Sequence, residues 1–221
     1  PERIVPKEEN YLATSPWQMM TFEAENKYKV EIVKELFQQA HINLPEFDIT
    51  TVPGKRAAGD DEFISSPRAM RKTAGLSHYG YRNKMEYSFW GDDDGLHLAL
   101  YRRGSHGKQI VEGSKLALPA VDKAANAVLK GLQKLQVRAG DLKTIIVRAN
   151  QDGTSVASLF VKPGTFPELQ LPKELKGLRV YHSNPKSPAS VPTKLLYERG
   201  MVVLEDALMG RTFYYDVDSF F

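Results

Sequence analysis

Apolar residues recur at three- and four-residue steps through Trp17, Met20, Ala24, Tyr28, Ile32 and Leu36, with Val33 and Phe37 widening the stripe. That spacing predicts one amphipathic helix over residues 15 to 40. Its start signals are Ser15 to cap the first free amides, Pro16 at the first helical position, and Gln18 to return the hydrogen bond. Residues 41 to 78 lose the periodicity and collect prolines at 45, 53 and 67, the turn Pro53-Gly54, the basic pair Lys55-Arg56 and the acidic pair Asp60-Asp61. They read as a connector with one short strand.

From Tyr79 the period changes to two. Met85, Tyr87 and Phe89 alternate with Glu86 and Ser88, Asp92-Asp93-Asp94-Gly95 turns the chain, and Leu96, Leu98 and Leu100 alternate on the return, which predicts a hairpin. A second helix is expected at about 118 to 136, with Pro119 near its start and Val121, Ala125, Val128, Leu129 and Leu132 as its apolar stripe. Another hairpin joins 144–149 to 154–161 through Asn150-Gln151-Asp152-Gly153, and short strands are expected near 178–183, 194–199, 201–206 and 211–216. Hairpin-linked strands around one helix predict an α+β fold with a largely antiparallel sheet and one or two long helices.

Composition narrows the chemistry. The chain of 221 residues has no cysteine, so disulfides, thiolate metal sites, iron–sulfur clusters and thiolate nucleophiles are all excluded within it. There is no P-loop, dinucleotide glycine motif, His-Glu-x-x-His or Gly-x-Ser-x-Gly elbow. The histidines at 41, 78, 97, 106 and 182 are scattered, so no metal is expected, and Asp92-Asp93-Asp94 reads as a solvated turn. No apolar run is long enough to cross a bilayer, and Pro1-Glu2-Arg3 is no signal segment, so a cytoplasmic protein without membrane contact is expected. A chain that starts at proline is expected to have a processed amino terminus or, the favoured reading, to be an excised piece of a longer one.

A net charge of +3 argues little by itself, but the charges are unevenly placed. Between Arg68 and Lys115 there are nine Lys or Arg against five Asp or Glu, and three of those acids share one turn. Tyr79-Gly80-Tyr81-Arg82-Asn83-Lys84 interleaves rings, cations and an amide at a strand start, and Tyr101-Arg102-Arg103-Gly104 closes the partner strand. Guanidinium forks bind phosphate oxygens and aromatic rings stack on unpaired bases, so this surface suits RNA. By composition alone the same residues also describe a charged hairpin whose tyrosines pack inward.

The segment Tyr81-Arg82-Asn83-Lys84-Met85-Glu86 resembles the Tyr-Arg-Asn-Lys-x-Glu segment of the RNA uracil-5-methyltransferases, which act on the T-loop uridine of tRNA or on uridines of 23S rRNA. Tyr101-Arg102-Arg103-Gly104-Ser105 with Ile110-Val111-Glu112 looks like the family's next strand pair, and Ser15-Pro16-Trp17-Gln18 with Glu25-Asn26-Lys27 looks like its early helix. Asp218-Ser219-Phe220-Phe221 looks like the lead-in to its Phe-x-Gln-x-Asn motif. The resemblance implies that residues 79–221 are a central α+β RNA-binding domain, that 1–40 would pack on a catalytic domain, that 41–78 connect the two, and that a Rossmann-like domain binding S-adenosylmethionine would follow residue 221.

In that family a cysteine thiolate adds to C6 of a flipped uracil, C5 takes the methyl group, and a base removes the C5 proton. With no cysteine and no glycine-rich strand–turn–helix, this chain is expected to bind no cofactor and to methylate nothing by itself. The resemblance further implies phosphate contacts from Arg82, Lys84, Arg102 and Arg103, a hydrogen bond from Asn83 to a base or the backbone, and stacking or strand support from Tyr81. It places Phe220 at the edge of the active site. The cysteines that hold an iron–sulfur cluster in many members correspond to Leu12, Ser15 and approximately Leu116, so no cluster is expected and Ser15 is free to cap its helix. The expected partner is structured RNA, tRNA or 23S rRNA, with an artificial dimer through an uncovered first helix as a side effect. A stand-alone RNA-binding module without catalysis and an α+β interaction domain without RNA affinity are the rival readings.

Overall fold

The computed structural model describes residues 2–47, 79–208 and 210–219. The chain divides into two compact units, Pro1–Tyr81 and Arg82–Phe221.

In the first unit a short helix α1 (Tyr11–Thr14) and a 3-10 turn (Pro16–Met19) precede the long helix α2 (Phe22–Gln39). The single helix expected over 15 to 40 is therefore broken, and the cause lies in the amino-terminal strand. Ile4 N–H donates to Met19 O at 2.9 Å and Thr21 N–H to Glu2 O at 2.9 Å, so the backbone around Met20 is drawn into an extended bridge with Arg3. The cap moves with it: the Thr21 hydroxyl accepts from Ala24 N–H at 3.3 Å, whereas the Ser15 side chain makes no capping bond. Gln18, expected to close the capping box, is buried and donates instead to Glu8 at 2.7 Å and Thr14 at 2.8 Å.

Helix α2 ends with His41 in the left-handed region at φ 55, where His41 N–H reaches Gln38 O and Ile42 N–H reaches Phe37 O. Along its stripe Trp17, Met20 and Tyr28 are half-buried, while Ile32, Leu36 and Phe37 are 44%, 58% and 37% exposed. Most of the expected connector, residues 48–78, lies outside the described residues.

The second unit contains β1 (Lys84–Asp92), β2 (Gly95–Tyr101), β3 (Lys108–Ile110), helix α3 (Pro119–Lys134), β4 (Leu142–Ala149), β5 (Ser155–Val161), β6 (Gly177–His182), β7 (Lys194–Gly200), β8 (Val203–Leu208) and β9 (Arg211–Asp216). Seven strands form one sheet in the order β3-β2-β1-β4-β5-β6-β7, and β8 and β9 pair separately. Only β5 and β6 run parallel, so the sheet is largely antiparallel, as the hairpin pattern predicts.

Alternation assigns the two faces. Tyr87, Leu98, Ile145, Val147, Leu159 and Leu178 point to the face covered by α3, which buries Val121, Ala124, Ala125, Val128 and Leu132 against it. Three polar contacts set the helix on the sheet: the Tyr87 hydroxyl donates to Asp122, the Ser155 hydroxyl to Ala120 O at 3.3 Å, and Gln133 Nε2 to Leu96 O at 2.8 Å.

The opposite face is a grid of cross-strand rows. One row reads Lys84, Arg148, Val156, Gly177 and Gly200, the next Glu86, Ile146, Ser158, Arg179 and Glu198, and a third Ser88, Thr144, Phe160 and Tyr181. The segment after β9 closes over this grid. Asp218 accepts from Ser158 at 2.8 Å, Arg179 at 2.9 Å and Tyr181 at 2.7 Å, while Arg179 also bonds Glu198 and Asp216. Burial opposes the Arg179 charge, yet its bonds to the three carboxylates prevail and hold the guanidinium above its ordinary range. The Tyr181 hydroxyl, ordinarily near 10.0, is pushed up to about 12 by burial and by its bond to Asp218.

Glycine at 177 is required by a close crossing. A Cβ there would stand 2.4 Å from the Met201 carbonyl carbon and 2.8 Å from Val202 N, where the chain leaves β7 for β8. Gly177→Ala is expected to lower stability by about 1–3 kcal/mol, seen as a lower urea midpoint with an unchanged slope. Because the fold favours protonated Tyr181, its contribution is complete below about pH 10 and is lost as pH rises through about 12. Unfolding free energies measured across that window should fall in the parent protein, and Tyr181→Phe should flatten the fall.

Candidate nucleic-acid interface

Lysine and arginine in β-hairpins usually face solvent, and a useful distinction is whether each cation is already engaged by the fold. Antiparallel pairing with Ser88 opposite Ala99 brings the start of β1 and the end of β2 to the same end of the sheet. Arg82, Asn83 and Lys84 therefore share that end with Arg102 and Arg103, as their positions in the sequence suggest.

Arg82 is half-buried and bridges to Ala117, with its N–H donating to Leu116 O at 2.8 Å and its carbonyl accepting from Leu118 at 2.9 Å. Asn83 is exposed, and its carbonyl accepts from Ala149 N–H at 2.8 Å, which ties the strand entry to β4. Lys84 is half-buried in the row of Arg148. Tyr81, the last residue of the first unit, is 50% exposed, and in the same unit Lys7 Nζ lies 4.5 Å from the centroid of the Tyr79 ring.

Arg102 and Arg103 occupy the loop between β2 and β3 and are both exposed. The loop is shaped by its backbone: Arg102 N–H donates to Gly107 O at 2.9 Å, Gly104 sits at φ 72, and the Ser105 hydroxyl accepts from Gly107 N–H at 3.2 Å. Among the described residues the two guanidinium groups take part in no hydrogen bond or ion pair, and both residues are exposed. Beside them Tyr101 is 55% exposed, and Lys108 Nζ lies 5.2 Å from its ring centroid.

Two further arginines escaped the sequence reading. Arg148 is fully buried, with its guanidinium carbon 5.8 Å from the Tyr215 ring centroid and Nη2 donating to Ser219 O. Burial lowers its pKa, against the pull of Tyr215, Asp218 and Asp216. Its only signal was a cation inside the apolar run Thr144-Ile145-Ile146-Val147-Arg148-Ala149. Arg179 is engaged by three carboxylates in the same covered region. Both are engaged within the fold.

No reaction centre assembles among the described residues. His97 pairs with Asp92 at 3.0 Å on the exposed turn, His182 Nδ1 is 3.1 Å from Pro163 O, and no group of three metal-binding side chains occurs among the described residues. Among the described residues the parallel pair β5 and β6 is linked through 162–176 without a helix, and no glycine-rich turn opens onto a helix amino terminus, so no dinucleotide-type cofactor turn is seen among them. Phe220, expected at the edge of an active site, lies outside the described residues. Among the described residues no helix is long and apolar enough to cross a membrane.

Neither a family model nor a curated protein matches the chain. Its fold is similar to that of Pyrococcus abyssi tRNA (uracil-54, C5)-methyltransferase, solved in complex with S-adenosyl-L-homocysteine, with a TM-score of 0.67 at 13% identity. The match covers 100% of this chain, which spans 47% of that protein. At this identity the likeness is one of fold: the α+β architecture is shared with part of a tRNA methyltransferase.

Proposed function

We propose that this chain is the RNA-recognition part of an S-adenosylmethionine-dependent RNA uracil-5-methyltransferase acting on tRNA or rRNA. The observation that carries the reading is the exposed pair Arg102 and Arg103, free of partners among the described residues, at the end of the sheet where Arg82, Asn83 and Lys84 begin β1. Fold likeness to a tRNA methyltransferase supports the same reading. In this scheme the arginine forks grip phosphates and fix the register of a folded RNA, while Asn83 meets a base or ribose. In this reading the nucleophilic thiolate comes from elsewhere in the whole protein, because this chain has no cysteine.

Binding of unmodified tRNA transcript, followed by fluorescence anisotropy across a salt series, tests the interface. Replacing both Arg102 and Arg103 by Ala is expected to weaken binding and to reduce the slope of log affinity against log salt by about 1 per arginine. An unchanged affinity and slope would remove the arginines from the interface. For the activity, the full-length protein with radiolabelled S-adenosylmethionine is expected to form 5-methyluridine in tRNA or rRNA, and this chain alone none.

A further inference from the structure

The face of the sheet opposite α3 is only partly covered. Between the closing segment around Asp218 and the arginine loop, a polar groove of about 650 Å³ runs along β2, β1 and β4 under the loop 185–190. Its size is in the range of small-ligand sites. The floor is built of small side chains, because Ala99, Ser88 and Thr144 stand in one cross-strand row. One wall is Tyr101, exposed on its solvent side, with Lys108 reaching past it to donate to Phe89 O at 2.9 Å.

The other wall is held rigid by a single ammonium group. Lys143 Nζ donates to Ser183 Oγ at 3.2 Å, Asn184 O at 3.0 Å, Ser187 O at 3.1 Å and Ala189 O at 2.8 Å, and the Thr144 hydroxyl bonds Ser190 at 2.6 Å. A wall fixed in this way needs no ordering when a ligand enters, which favours binding.

We propose that this groove is a subsite for one unpaired RNA nucleotide whose base carries an exocyclic amino group. The inference rests on the RNA-recognition reading above and adds to it a site separate from the phosphate contacts. The Tyr101 ring is a stacking platform next to Arg102, so a base lying on it leaves its phosphate at the exposed guanidinium. Lys108 supplies a second cation at the same ring. Among the described residues Glu86 is the only carboxylate lining the groove, and it is exposed. A carboxylate is purely an acceptor, so it suits the amino group of cytosine, adenine or guanine, whereas uracil offers it only N3–H, flanked by two carbonyl oxygens that repel it. Ser88 and Thr144 bring hydroxyls to the floor beneath the base.

The experiment compares three RNAs of equal charge: a hairpin with an unpaired cytidine loop, the same hairpin with a uridine loop, and a blunt duplex without unpaired bases. The cytidine-loop hairpin is expected to bind most tightly. Tyr101→Ala should weaken both hairpins by roughly 5- to 150-fold and leave the duplex unchanged, while Tyr101→Phe, which keeps the stacking ring, should bind like the parent. Glu86→Gln should bring the cytidine and uridine loops to equal affinity. Circular dichroism of each variant checks that the sheet is intact.

If Tyr101→Ala changes nothing, or weakens duplex and hairpins alike, the groove is not the subsite. In that case a continued loss in the double Arg102→Ala, Arg103→Ala variant leaves RNA recognition standing without it. If the parent protein binds none of the three RNAs, both readings fall.

Discussion

One helix covers one face of the seven-stranded sheet, and the β8–β9 hairpin with the irregular segments after β6 and β9 covers part of the other. Helix α3 covers its side with ordinary hydrophobic packing: Val121, Val128 and Leu132 are each fully buried, a contribution of about 1.5–3 kcal/mol apiece. Tyr87 and Asp122 add a directional contact that fixes how the helix lies. The alternation in β1, β2, β4 and β5 exists to feed this one interface.

On the second face a small apolar cluster, Val156 with Val202, Leu204, Tyr215 and Val217, is joined by charge and hydrogen bonding. Arg148 beneath Tyr215 and Ser219, Arg179 among Glu198, Asp216 and Asp218, and Lys143 inside the loop 184–190 each draw an irregular segment onto the strands. Backbone in such segments cannot satisfy its carbonyl groups through a ladder, and Lys143 serves three of them in its loop, while Arg148 serves Ser219 O and Arg179 binds side-chain carboxylates. Breaking one partner of such a set leaves a charge without compensation, which makes the arrangement specific as well as stabilising.

These engaged cations separate the basic residues into two populations. Arg148, Arg179 and Lys143 are consumed by the fold, whereas Arg102 and Arg103 stand on a short, well-shaped loop with their forks in water. A net charge of +3 hides this division entirely. A scaffold that displays cations at one end fits the recognition role proposed above.

The order and type of most elements were legible in the sequence, because period-two alternation and the Pro119-led stripe reflect burial on one face, a demand each strand or helix records locally. The exposed basic segment was legible for the same reason, as residue types clustered in short stretches. What stayed hidden depended on partners distant in the chain. Ser15, Pro16 and Gln18 satisfy every local rule for a helix start, yet residues 2–4 pair across Met20 and move the start to Phe22, capped by Thr21. Arg148 looks misplaced in an apolar strand until Tyr215 and Ser219, some seventy positions later, cover it. The groove beside Tyr101 exists only because β2, β1 and β4 meet the loop 185–190, a juxtaposition set by strand order and register that no local pattern encodes.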